Sequence, residues 1–196
     1  MKQSIFLTAL IILLGTSFLV GQTTYQTKKA NVSVLGTSNL HDWEMTGTQA
    51  SLKGTFDIEN GALAGIENVF VEIPVKSIKS SKGSIMDGKT YDALKSDKHP
   101  KITFRLKNVN SINPKSGAYE VKATGDLTIA GYTKSVLLNV MVKVLPSGEL
   151  EITGSKDLKM TEYKMEPPTA MFGALTTGDD VTIKFATTLT SNQLNK

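Results

Sequence analysis

The chain has 196 residues, with 22 Lys+Arg against 18 Asp+Glu and no cysteine. The missing thiols exclude cysteine catalysis, thiolate metal sites, disulfide staples and lipid attachment at a lipobox. The mild positive balance is carried almost wholly by lysine, Arg105 being the only arginine, and provides neither the basic footprint nor the bidentate forks of a nucleic-acid binder.

Met1-Lys2-Gln3-Ser4 leads into an apolar run from Ile5 to Val20, followed by Gly21 and the polar Gln22-Thr23-Thr24. One positive residue, a short apolar stretch and a small residue at its exit predict a secretory signal peptide over 1–21. The run is slightly short for a membrane span, which needs about 20 apolar residues. Leu19-Val20-Gly21 matches the small-residue rule only moderately, so an uncleaved anchor is the alternative. Cleavage would leave residues 22–196 as one domain with room for a sizeable core, soluble in the periplasm or secreted.

From there on, apolar and polar residues alternate with period two. The runs are Val32 and Val34; Leu52, Phe56 and Ile58; Val69, Val71, Ile73 and Val75; Ile102, Phe104 and Leu106; Tyr119, Val121 and Ala123; Leu127 and Ile129; Val136, Leu138, Val140, Val142 and Val144; Leu150 and Ile152; and Val181, Ile183 and Phe185. Such alternation predicts half-buried strands. Turns are expected at Asn60-Gly61, Asn113–Gly117, Ala130-Gly131-Tyr132, Pro146-Ser147-Gly148 and Thr177-Gly178-Asp179. About eight strands with hairpin-length links predict an all-β fold, an antiparallel barrel or sandwich. One segment departs: over Lys82–Pro100, Tyr91, Leu94 and Lys95 stand at helical spacing, which predicts one or two helical turns crossing a barrel end, linked rigidly to the next strand by His99-Pro100.

Residues with chemical potential do not converge on a reaction. His41 and His99 lie 58 positions apart with no partner at a metal-ligand spacing. Asp87, Asp92 and Asp97 recur every five residues, which suits neither an EF-hand nor one helical face, and they read as solvated charge. Met160, Met165 and Met171 read as apolar filler, since copper selection needs clustered soft ligands. No nucleophile elbow or phosphate-binding glycine motif occurs, so no catalytic residue, metal or cofactor is expected. Trp43, the only tryptophan, is either a core plug or a ligand contact.

Three stretches then carry a resemblance: "HDWEMTG…LKGTFDIENG", "LKSDKHPKITFRLKNV" and "YEVKATGDLTIAGYTKSVLLNVMV". Their residues and order resemble the YceI-like family of bacterial lipid-binding proteins, most tellingly Gly125–Leu138 beside His99-Pro100. The resemblance implies a lipocalin-like eight-stranded antiparallel β-barrel with a short helical segment, holding an isoprenoid or fatty-acyl lipid, with only transient membrane contact. The stretch departs from the family near its end, with Glu162-Tyr163-Lys164 where members commonly carry an Asp-Phe-Gly-like turn, and with Pro167-Pro168 extending the connection.

Parity and resemblance together nominate a ligand-binding face. Leu127, Ile129, Val136, Leu138, Val140 and Val142 stand on one side with Ile102 and Phe104 opposite, joined by Trp43, Phe56, Val71 and Ile73. An eight-stranded barrel is wide enough either to hold one small ligand or to be filled by its own side chains. A filled barrel acting as a structural or interaction module of the envelope is therefore the alternative to a lipid binder.

Overall fold

The computed structural model describes residues 23–191, so the expected signal peptide over 1–21 lies outside the described residues. The strands are β1 (Thr23–Ser38), β2 (Trp43–Gly47), β3 (Ser51–Glu59), β4 (Ala62–Pro74), β5 (Lys79–Ser80), β6 (Lys101–Lys115), β7 (Ala118–Ile129), β8 (Tyr132–Val144), β9 (Leu150–Lys159), β10 (Thr169–Ala170) and β11 (Leu175–Ser191). Hydrogen bonding runs from β1 through β3, β4, β6, β7, β8 and β9 to β11, and β11 pairs back onto β1. Eight antiparallel strands thus close a barrel and leave no long edge exposed. Of the other three, β2 takes over from β3 along β1, while the two-residue β5 and β10 extend β2 and β11.

Three hairpins explain how so many strands fit so few connecting residues. Asn60-Gly61, Ser116-Gly117 and Ala130-Gly131 are two-residue links in which both residues have positive φ, the geometry whose twist matches that of the flanking strands. The second of these is tighter than the sequence predicts, because β6 continues through Asn113-Pro114-Lys115 before turning. Thr177-Gly178-Asp179 does not turn the chain at all. It lies inside β11, where the register with β1 jumps from Gly36↔Val181 to Ser38↔Thr177. Turn-forming residues here make a bulge, since a bulge also needs permissive backbone in mid-strand.

The two ends of the barrel are built differently. At the hairpin end Tyr25, Val121, Val142, Leu150 and Leu189 close the core, with Tyr25 and Phe56 edge to face at 5.5 Å between ring centroids. The other end is capped by helix α1 (Ser84–Ala93), ten residues and so longer than the expected one or two turns. It finishes in a Schellman arrangement, Ser96 N–H donating to the Tyr91 carbonyl and Lys95 N–H to that of Asp92, with Lys95 at positive φ in place of the usual glycine.

Asp87 corrects the expectation of solvated charge. Its carboxylate is buried, accepts the Ser80 N–H at 2.7 Å and pairs with Lys79 at 3.3 Å. The Ser80 hydrogen bond, with the Lys79 ammonium adding to it, holds this carboxyl below the ordinary carboxylate range. The helix is therefore fastened to β5 by a side chain on its own inner face.

Candidate functional site

Between the two packed ends the barrel is not filled. Inward parity makes two adjoining chambers, a strand chamber of about 200 Å³ in mid-barrel and a cap chamber of about 330 Å³ beneath α1. Val34, Ile78, Ile102 and Ile183 belong to the walls of both. For scale, an engineered apolar cavity of about 150 Å³ stays dry and takes up benzene.

Nine of the twelve nominated residues meet around the strand chamber: Phe56, Val71, Ile73, Ile102, Phe104, Leu127, Leu138, Val140 and Val142. The ladders explain why, since Val71↔Phe104, Ile73↔Ile102 and Phe104↔Leu127 are direct cross-strand partners. Ile102 also reaches the cap chamber, whose wall includes Trp43 and Ile129. Val136 is buried, but belongs to the wall of neither chamber. One continuous face along β7 and β8 was expected; the structure divides it between two chambers.

Glycines on the inner surface make room for the rings that shape these walls. A Cβ on Gly125 would collide with the Phe104 ring, one on Gly154 with Phe185, and one on Gly36 with Trp43. In each pair a missing side chain on one strand lets an aromatic from a neighbouring strand lie flat across it. Trp43 is further fixed by its indole N–H, which donates to the Thr37 carbonyl at 2.9 Å. It is thus both packed as a plug and turned toward the cap chamber.

β6 is bent by register shifts at Leu106/Asn108 and Val109/Ser111. Its pairing with β4 covers only Lys101–Arg105. The shifts move inward parity from Leu106 to Val109, and both residues line the strand chamber. Simple alternation misses this, because each extra residue inverts the faces that follow it.

The cap chamber holds most of the residues that sequence reasoning missed. Met45, Ile78, Leu94, Met160, Tyr163 and Met165 are buried in its wall, whereas Met171 is exposed. Met160 continues the inward parity of Leu150, Ile152 and Leu158, a signal that was available. Tyr163 follows in a 3₁₀ turn over Met160–Tyr163 that period two cannot reach. Its hydroxyl is buried without a hydrogen-bond partner, and burial first, then the Glu162 charge, pushes its pKa up to about 12. It is a neutral phenol across the physiological range.

The stretches that carry the family resemblance touch one another. The His99 ring lies directly over Gly131, where a Cβ would overlap it, and the Pro100 carbonyl accepts the Val75 N–H at 2.9 Å. His99-Pro100 thereby ties the segment after α1 to the Ala130-Gly131 turn and to the end of β4. His41 is exposed at the opening of the cap chamber, with Nδ1 2.9 Å from the Asp42 carbonyl. The two histidines serve separate local structures.

Comparison with known proteins places this barrel among relatives. Burkholderia cenocepacia BcnA superimposes with a TM-score of 0.64 at 20% identity, covering 82% of this chain and 96% of that one. A polyisoprenoid binding domain from Saccharophagus degradans, implicated in plant cell wall breakdown, gives 0.62 at 11% identity, covering 85% and 98%. A Campylobacter jejuni YCEI protein gives 0.55 at 21% identity, covering 72% and 81%. No curated protein matches the sequence. The YceI-like domain model matches residues 24–189, from the second residue of β1 almost to the end of β11, and by that match the chain belongs to the YceI-like family.

Proposed function

We propose that the barrel binds a long-chain lipid of the isoprenoid or fatty-acyl class, as a non-catalytic carrier, store or sensor in the periplasm or outside the cell. The observation that carries this reading is the pair of adjoining chambers that present an almost wholly apolar surface inside a closed barrel. Such walls offer dispersion contacts along a hydrocarbon chain and ask for no polar partners. Each buried CH₂ contributes about 0.8 kcal/mol, so a chain threaded from one chamber into the next binds tightly without special chemistry. The polyisoprenoid-binding description of the Saccharophagus degradans domain supports the same class of guest.

The orphan Tyr163 hydroxyl adds a polar end to the apolar path. Location follows from the leader read in residues 1–21, and contact with a membrane would be limited to loading and release. Organic extraction of the purified protein followed by mass spectrometry tests the reading. The expected result is a stoichiometric isoprenoid or acyl species. Protein that yields no lipid, and takes up none from detergent-dispersed prenyl alcohol or fatty acid, would reject it in favour of a filled envelope module.

A further inference from the structure

Hydrogen bonding is continuous around the barrel, but one seam is zipped for only part of its length. β8 pairs with β9 from Val140 opposite Gly154 to Val144 opposite Leu150. Beyond that point Tyr132–Asn139 has ladder partners only on β7, and Ser155–Lys159 only on β11. Among the described residues the next polar link across the seam is the Lys134–Glu162 ion pair at 3.5 Å, past the end of β9.

Where this ladder stops, the wall of the strand chamber contains a lysine. Inward parity along β9 runs Leu150, Ile152, Gly154, Lys156 and Leu158, and Lys156 lines the chamber together with Leu138 of β8 and with Ile183, its cross-strand partner on β11. Among the described residues it is the only ionisable side chain in that wall. Ile183 belongs to both chambers, so Lys156 stands at the level where they adjoin. An apolar wall is a costly place for an unpaired ammonium. The half-buried Lys156 avoids that cost by laying its stem along the chamber and carrying its tip into the open seam, as long cationic side chains do at apolar boundaries.

Among the described residues that tip has no hydrogen-bond or ion-pair partner. The acids on the elements around the seam are committed elsewhere. Asp157, on the outer face of β9, accepts the Thr182 hydroxyl at 2.6 Å, and Glu162 holds Lys134. Asp179 accepts the Thr161 N–H at 2.8 Å, Asp180 pairs with Lys159 at 2.6 Å, and Glu151 lies at the far end of β9, opposite Lys143. β8 carries no acid. The seam thus presents one uncompensated cation at the boundary between apolar chambers and water.

We propose that Lys156 is the headgroup contact of the guest: the carboxylate or phosphate of an acidic amphiphile sits in the seam between β8 and β9, and its chain fills the chambers. This rests on the lipid-binding reading and adds the charge of the head, since apolar walls alone would take a neutral prenyl or fatty alcohol equally well. A hydrogen bond between an ammonium and an anionic oxygen is shorter and stronger than a neutral one, which gives a single lysine the weight to select among chains of equal length. Backbone N–H groups that β8 and β9 leave unpaired face the same seam and add donors.

The test is uptake of radiolabelled guests from cyclodextrin, read after gel filtration, in pairs that share a chain: palmitate against hexadecanol and farnesyl phosphate against farnesol, at about pH 8, where both acids are ionised. Residues 22–196 are suitable, because every barrel strand, both core clusters and the cap lie within 23–191. In at least one pair the acid should bind about tenfold or more tightly than its alcohol, as one charge-assisted contact implies, and that pair names the head. Lys156→Met, which keeps the bulk of the stem, should erase the difference between acid and alcohol, and Lys156→Arg should keep it. Lys184→Met, which removes an exposed lysine from the outer face of β11, should behave as the parent does. Equal uptake of acid and alcohol in both pairs, a preference that survives Lys156→Met, its loss in Lys156→Arg, or an equal loss in Lys184→Met would overturn the assignment. A parent that takes up no guest of either pair rejects the lipid-binding reading itself, whereas one that takes up acids and alcohols alike rejects only the role of Lys156.

Discussion

The strand chamber and the cap chamber share a wall but are made from different materials. The strand chamber is enclosed by long paired strands whose inward side chains repeat every second residue, and the hairpin end beyond it is packed shut. The cap chamber is enclosed by a helix, a 3₁₀ turn and two loops, and it reaches the surface between exposed apolar tips. A closed ladder gives rigidity, because each strand is held from both sides; a cap of short local pieces can open at lower cost. The same barrel therefore joins a continuous ladder to a cap assembled from short pieces, each fastened by a few side-chain contacts.

The sharpest way to break this comparison is to remove packing from the container. Phe56 is fully buried, borders the strand chamber and meets Tyr25 edge to face. Phe56→Ala should destabilise the whole barrel by about 3–5 kcal/mol, read from denaturant unfolding. A loss under about 1 kcal/mol would mean that the hairpin end does not anchor the fold.

A smaller loss is expected from disturbing the cap. In Gly36→Ala the new methyl overlaps the Trp43 ring, so the ring must leave its place. Overpacking of this kind typically costs about 1–3 kcal/mol, and Trp43 fluorescence should shift as the indole N–H leaves the Thr37 carbonyl. An unchanged spectrum would show that the contact is not a constraint.

Two substitutions should affect ligand more than fold. Val140 borders the strand chamber, so Val140→Phe has space to enter and should change stability by less than about 1 kcal/mol while blocking lipid uptake. A fall of several degrees in Tm with lipid still bound would place a closed core at this position. In the cap chamber, Tyr163→Phe removes a buried hydroxyl that has no partner. The ligand-free protein should be unchanged or more stable by up to about 1 kcal/mol, since an unsatisfied buried group is lost. If the hydroxyl instead meets a polar atom of the bound lipid, the same variant should hold that lipid less tightly in a competition assay.

Much of the container was legible from residue order. Asn60-Gly61 announces a hairpin because both residues tolerate positive φ, and β8 announces a half-buried strand through Val136, Leu138, Val140, Val142 and Val144. The cap was legible only in part. Thr177-Gly178-Asp179 has turn composition yet forms a bulge, because the same permissive residues suit both and only the partner strand distinguishes them. Asp87 looked like free charge, since nothing local reveals that the Ser80 N–H and Lys79 wait on β5.

The residue pattern by itself determined the strand period, the Asn60-Gly61 hairpin, the family and the apolar character of the barrel's interior, because each is written in neighbours a few positions apart. Only the tertiary structure decided which inward side chains face which chamber. That depends on cross-strand register, on the bulges that shift parity along β6, and on glycines such as Gly125 and Gly36 that admit a ring from another strand. The wall of the cap chamber beside Leu40 is likewise a product of folding: residues more than 130 positions apart become neighbours when Asn39 binds Ala174 and Thr176.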